Sequence, residues 1–115
     1  MKRCLVADDN PDVRSALRLL LETRFDQIEV SEAADGAQLF DRLAAAPPDC
    51  LILDGELLER DALDRIRQIA PGVRIVVTSA RLDAAIQTLA AQADAFVAQT
   101  DAPAILVAAL LRLGL

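Results

Sequence analysis

Short unbroken apolar runs alternate along this chain with longer stretches in which apolar residues recur every three or four positions. Arg3 to Ala7 is the first run and is predicted as strand 1. Asp8-Asp9-Asn10 closes it, and Asn10-Pro11 is a helix start, an Asx cap followed by proline at the first helical position. Val13, Ala16, Leu17, Leu20 and Leu21 then keep helical spacing, so helix 1 extends to about Arg24. Ile28 to Ala33 alternates and reads as strand 2, more exposed than strand 1. Asp35-Gly36 forms a turn, and helix 2 begins at Ala37 and ends before Pro47-Pro48. Asp49 to Asp54 is strand 3, and Leu58 to Ala70 is helix 3, closed by Pro71-Gly72. Val73 to Ser79 is a β-branched run predicted as strand 4. Leu82 to Gln92 is helix 4, Asp94 to Ala98 is strand 5, and helix 5 opens at Ala102-Pro103 and runs to about Leu113.

Strands alternating with helices at this spacing imply βαβ units, a parallel sheet and right-handed crossovers. The expected fold class is α/β, a three-layer α/β/α, flavodoxin-like (βα)5 doubly wound sheet. Five strands fit the order 2-1-3-4-5 better than the six-stranded dinucleotide order. At 115 residues the whole chain, 1–115, is expected to be a single domain.

The stretch Cys50-Leu51-Ile52-Leu53 runs without a break into Asp54, and Gly55 follows. Such a run reads as a strand buried on both faces. Open α/β sheets place their chemistry at the carboxyl ends of strands, though an aspartate there also serves as an ordinary helix cap. In the order 2-1-3-4-5, strands 1 and 3 are neighbours at the switch point, so Asp8 and Asp9 face Asp54. Strand 4 brings Thr78-Ser79 beside them. Two bare carboxylates about 4 Å apart repel by roughly 4 kcal/mol at an effective dielectric of 20. Three therefore need a raised pKa or a cation, and Mg²⁺ suits hard oxygen ligands where phosphate is handled. No G-x-G-x-x-G or G-x-x-x-x-G-K-[ST] loop is present, which disfavours a nucleotide site. What is left is a metal-assisted carboxylate able to act as a nucleophile towards a phosphoryl group.

Composition removes other classes. With no histidine, imidazole acid–base chemistry is excluded, and the two cysteines, Cys4 and Cys50, fall in buried strands as small apolar residues. A net charge of −6 argues against direct nucleic-acid binding. No apolar run approaches the roughly 20 residues of a membrane span, and the N-terminus turns acidic too soon for a signal peptide. A soluble, cytoplasmic location without membrane association is expected.

Along nearly its whole length the chain resembles a response-regulator receiver domain of two-component signalling. Leu5 to Arg14, Glu32 to Gly36, Pro48 to Asp54, Val77 to Ser79 and Ala93 to Ala98 carry the resemblance, and Phe96 to Pro103 is most similar to receivers of LuxR-type regulators. It implies that Asp54 is the phosphoacceptor, loaded by a histidine kinase or phosphotransfer protein. It further implies that Asp9, Asp54 and the backbone carbonyl of Glu56 bind Mg²⁺ directly, with Asp8 acting through water. Thr78 would hydrogen-bond the phosphoryl oxygens and move on activation, and Phe96 would fill the aromatic switch position. The family is one of signalling modules rather than enzymes, beyond catalysing its own phosphoryl transfer and dephosphorylation.

Three positions depart from the family pattern. Gln99 and Thr100 stand where receivers carry Lys-Pro. Gln can donate a hydrogen bond but brings no charge, so weaker phosphorylation or weaker coupling to the switch is expected. Lys2 is the only lysine and lies at the wrong end of strand 1. The loop Gly55 to Ala62 lacks the usual Met-Pro-Gly, helix 3 is a few residues short, and Glu56 occupies a position where the family tunes phosphate lifetime. Gln92 replaces the glycine that usually ends helix 4; a left-handed residue there would cost about 1 kcal/mol.

Helix 5 has Arg112 as its one charged residue, and helix 4 adds Ala84, Ala85, Ile86, Leu89 and Ala90. A wide alanine-rich stripe is one reading. The other is an interface through helix 4, strand 5 and helix 5 for a homodimer, a downstream target or an output domain. The alternative to a phosphoacceptor is a degenerate receiver that binds protein independently of phosphorylation. A small metal-dependent phosphohydrolase on a related fold lacks its acid–base partner and cap segment here.

Overall fold

The structure, a computed structural model, describes residues 1–59 and 61–115. One parallel sheet joins all five strands, in the order β2-β1-β3-β4-β5: β1 Lys2–Ala7, β2 Ile28–Ala33, β3 Cys50–Asp54, β4 Arg74–Ser79 and β5 Ala95–Ala98. The helices are α1 Pro11–Arg24, α2 Gly36–Ala45, α3 Ala62–Ile69, α4 Ala84–Gln92 and α5 Pro103–Arg112. This is the flavodoxin-like arrangement that the alternation of patterns predicts.

Period two along each strand divides the apolar residues between two cores. Leu5, Leu51, Leu53, Ile75 and Val77 face Leu39 and Leu43 of α2 and Leu63 and Ile66 of α3. On the other side of the sheet Cys4, Val6, Cys50, Ile52 and Val76 face Leu21 of α1 and Leu106, Ala109 and Leu110 of α5. Every residue of β3 is buried, as the unbroken run requires. β2, at the sheet edge, is only partly covered.

Local chemistry sets the boundaries. The Asn10 side chain accepts from the Asp12 N–H, with Pro11 next in the chain, so α1 starts as expected. Asp35 accepts from the Gln38 N–H at 2.8 Å, and Gln38 Oε1 reaches back to the Ala34 N–H at 2.8 Å. That reciprocal cap draws Gly36 into α2, one residue earlier than predicted. α4 begins at Ala84 rather than Leu82 because Asp83 is its cap, accepting from the Ile86 N–H. The largest correction is at helix 3. Gly55–Leu57 forms a single 3₁₀ turn, opened by the Asp54 side chain, and α3 starts only at Ala62, not Leu58. Arg60, within the expected helix and loop, lies outside the described residues.

Gln92 does not take the left-handed conformation. Gln27 is the one described non-glycine residue with positive φ, at 55°. α4 instead leaves through Ala93 in an extended conformation, with the Ala93 N–H bonded to the Ala90 carbonyl, so the conditional strain at Gln92 is absent.

Candidate functional site

β1 and β3 lie side by side, with Ala7 opposite Leu53, so the residues following them project from one sheet end. Asp8, Asp9 and Asp54 meet there. One carboxylate oxygen from each lies within 4.8 Å of the other two. Asp8 and Asp54 are buried, at 3% and 4% exposure, whereas Asp9 opens to solvent. Each buried acid uses its Oδ1 locally: Asp8 accepts from the Asn10 N–H at 2.9 Å, and Asp54 from the Glu56 N–H at 3.1 Å.

Burial disfavours the charged form of Asp54 and, with Asp8, Asp9 and Glu56 adding repulsion, overcomes the Glu56 N–H to push its pKa up to about 6. Asp8 is raised as well, first by burial and then by Asp9, against the Asn10 N–H and the Arg14 charge. Arg14 is fixed on both sides. Its Nη1 donates to the Asp8 carbonyl at 2.7 Å and its Nε to Glu32 at 3.2 Å. Arg18 donates to the other oxygen of Glu32 at 2.8 Å and is the main cause holding that carboxyl below its usual range.

The donor set fits a hard divalent cation. All three groups are carboxylates and their oxygens converge, the oxygen donor set that a hard cation takes. An acidic cluster of this kind can bind a metal ion, and a carboxylate at its centre can attack an electrophile whose charge the metal shares.

Thr78 lies directly opposite Asp54 in the β3–β4 ladder, and Ser79 follows, fully buried. The hydroxyl of Ser79 is committed, accepting from the Arg81 N–H at 2.9 Å. Gln99 follows β5, exposed, and its backbone N–H donates to the Ser79 carbonyl at 3.0 Å. Among the described residues its side-chain amide bonds to none of the acids. It lines a small, mainly apolar cleft of about 240 Å³ with Thr78, Val97, Pro103 and Leu106. Phe96 is half-buried on β5 and packs against the core under α2 and α3.

Two features of the rim were not legible beforehand. The Glu56 carboxylate, whose direction the sequence left open, pairs with Arg81 Nε at 3.1 Å, and the same nitrogen lies 3.3 Å from the Asp83 carboxylate. Gly55 leaves room for α4: a Cβ built there would stand 3.0 Å from Ile86 Cδ1 and 3.4 Å from the Thr78 carbonyl oxygen. A cleft of about 330 Å³ separates the 3₁₀ turn from α4, lined by Gly55, Leu58, Arg81, Ile86 and Leu89 among others.

Against known families, the model of the response regulator receiver domain matches residues 4–111. The response regulator MprA of Mycobacterium tuberculosis is 39% identical over 67 residues, which are 58% of this chain and 28% of that protein. The sensor histidine kinase TmoS of Ectopseudomonas mendocina is 42% identical over 52 residues, 45% of this chain and 5% of that protein. The chain thus spans less than a third of these relatives. Among solved structures, a LuxR-family two-component response regulator from an Aurantimonas species superposes with a TM-score of 0.83 at 30% identity, covering 96% of this chain and 82% of the other. RcsB of Salmonella enterica, bound to a promoter in the presence of the phosphomimetic BeF3⁻, shares the fold with a TM-score of 0.86 at 24% identity, covering 98% of each chain.

Proposed function

This chain belongs to the response regulator receiver family of two-component signalling, and from that premise we propose that Asp54 is its phosphoacceptor. The convergence of Asp8 and Asp9 on Asp54 within 4.8 Å carries the reading. An Asp54 oxygen attacks the phosphorus of a phosphohistidine on a histidine kinase or phosphotransfer protein. The P–N bond breaks, its electron pair stays on the imidazole nitrogen, which gains a proton, and an acyl phosphate remains on Asp54.

Asp9, Asp54 and the Glu56 carbonyl would hold Mg²⁺ directly, with Asp8 contributing through water. Bound there, the ion supplies positive charge to the carboxylates and to the phosphoryl oxygens. The chain's own groups do the rest. The Glu56 N–H orients the Asp54 carboxylate, Arg14 fixes the Asp8 backbone, and Thr78, opposite Asp54 in the ladder, offers its hydroxyl to the phosphoryl oxygens.

Output runs through α4, β5 and α5. α5 turns Leu106, Ala109 and Leu110 inward but leaves Ile105 and Leu111 about half exposed, and Arg112 is its only charged residue. That face would meet a downstream target, an output domain or a second copy of the chain. The whole of 1–115 works as one such unit, in the cytoplasm, without binding nucleic acid itself. No helix is long and apolar enough to cross a membrane.

Gln99 favours a second reading, a receiver that binds its partner whatever the state of Asp54, because the amide adds no charge to the acid cluster. A small phosphodonor such as acetyl phosphate separates the two. On the first reading intact mass rises by one phosphoryl group only with Mg²⁺ present, and Asp54→Asn abolishes the gain. Failure of the unmodified chain to be labelled at any donor concentration rejects it.

A further inference from the structure

We propose that Arg81 is the cation that holds the phosphoryl group on Asp54, exchanging its partner Glu56 for the phosphoryl oxygens when the site is loaded. The inference rests on Asp54 being the acceptor. Its starting point is a charge deficit: Asp8, Asp9, Asp54 and Glu56 gather at one sheet end, and loading converts the singly charged Asp54 carboxylate into an acyl phosphate carrying up to two negative charges.

Two cations approach that cluster among the described residues. Arg14 is immobilised, with its side chain only 16% exposed, Nη1 on the Asp8 carbonyl and Nε on Glu32. Arg81 differs in each respect. It sits in the segment between β4 and α4, its side chain is half exposed, and Nε is the nitrogen that faces both Glu56, at 3.1 Å, and Asp83, at 3.3 Å. Neither pair meets hydrogen-bond geometry, and among the described residues Nη1 and Nη2 donate to none. A guanidinium has five donors in a planar fork suited to phosphate, so most of the capacity of Arg81 is unspent.

Position favours the exchange. Glu56, the present partner, is two residues beyond Asp54 and bonded to it through its N–H. Arg81 is tethered two residues beyond Ser79, with its N–H on the Ser79 hydroxyl, so its backbone stays beside the strand end that carries Thr78. A dianionic phosphoryl group attracts the guanidinium more strongly than the solvent-exposed carboxylate of Glu56. Arg81 also lies two residues before Asp83, the cap of α4, which is its second partner. The exchange therefore couples loading of Asp54 to the start of α4.

The test is beryllofluoride binding to the full chain with Mg²⁺ present, followed by ¹⁹F resonance in a double-mutant cycle of Arg81→Gln and Glu56→Gln. Arg81→Gln is expected to weaken binding about tenfold, the size of one charge-assisted hydrogen bond, and Arg81→Lys to recover part of the loss. In the Glu56→Gln background Arg81 keeps only Asp83 as a competing carboxylate, so the cost of Arg81→Gln should rise. An ion pair that only braces the loop gives the same loss for either single substitution. A purely long-range field gives equal cost in both backgrounds. Either pattern overturns the proposal, as does Arg81→Gln binding like the unmodified chain. If the unmodified chain binds beryllofluoride no better than Asp54→Asn does, the acceptor reading fails and this inference goes with it.

Discussion

Asp54→Asn should make the metal-free protein more stable at neutral pH. The substitution keeps the shape of the side chain and its acceptor for the Glu56 N–H, and it removes one charge from a buried cluster. In the folded protein the Asp54 pKa is raised from 3.8 to about 6, chiefly by burial. The folded state therefore binds this proton more tightly than the unfolded chain does. Its stabilising effect is complete below pH 3.8 and is lost as the pH rises through about 6. At 1.36 kcal/mol per unit, the shift corresponds to about 3 kcal/mol, and solvent reaching the cluster past exposed Asp9 reduces this to about 1–2 kcal/mol. The new amide faces Asp8 and Asp9, each with an oxygen within 4.8 Å of the Asp54 carboxylate, so acceptors stand beside it. For a domain of this size about 1–2 kcal/mol is roughly 4–10 °C in Tm. The chain has no Trp or Tyr, so melting is best followed by far-UV circular dichroism, in EDTA, at pH 7.5 and pH 4. The variant should melt higher at pH 7.5, with the gap shrinking at pH 4. Added Mg²⁺ should raise the unmodified protein more than the variant, because binding to the folded state stabilises it by mass action. A variant that melts below the unmodified protein at pH 7.5 in EDTA, or a gap that ignores pH, would refute this account of the cluster.

The fold was legible because its signals are periodic. An apolar run buried on both sides, as in Cys50 to Leu53, and the turn residues between runs imply the βαβ order with little reference to tertiary detail. The acid cluster followed, since Asp8, Asp9 and Asp54 are strand-end residues and the strand order places those ends together. Helix 3 was started too early, at Leu58, because the apolar face of Leu63, Ile66 and Ile69 marks a helix without marking where it begins. The Asp54 side chain instead binds the Glu56 N–H and closes a 3₁₀ turn, a local competitor that periodicity does not register. The Glu56–Arg81 pair and the seat of Ile86 on Gly55 were out of reach for another reason. Each joins two loops or a loop and a helix far apart in sequence, and depends on how α4 sits over the 3₁₀ turn.

Two further substitutions probe the supports of the site. Asp94 accepts from the Ile75 N–H at 2.8 Å and from Arg67 at 3.3 Å, tying the start of β5 to β4. Asp94→Ala should cost about 1–3 kcal/mol by stranding a largely buried N–H, read as a lowered denaturant midpoint; Asp94→Asn, which keeps an acceptor, should recover most of it. Gly55→Ala tests the approach of α4. The added methyl meets Ile86 Cδ1 at 3.0 Å, the far end of a flexible side chain, and the Thr78 carbonyl at a tolerable 3.4 Å. Ile86 must therefore shift, and with it the first turn of α4, at a cost of about 1 kcal/mol. Ile86→Val removes that Cδ1 and should relieve the clash, so the double variant should be less destabilised than the two single effects added together. Strict additivity would place the cost in the backbone of the 3₁₀ turn, and Gly55 would then be required for its own conformation and not for the space it leaves to α4.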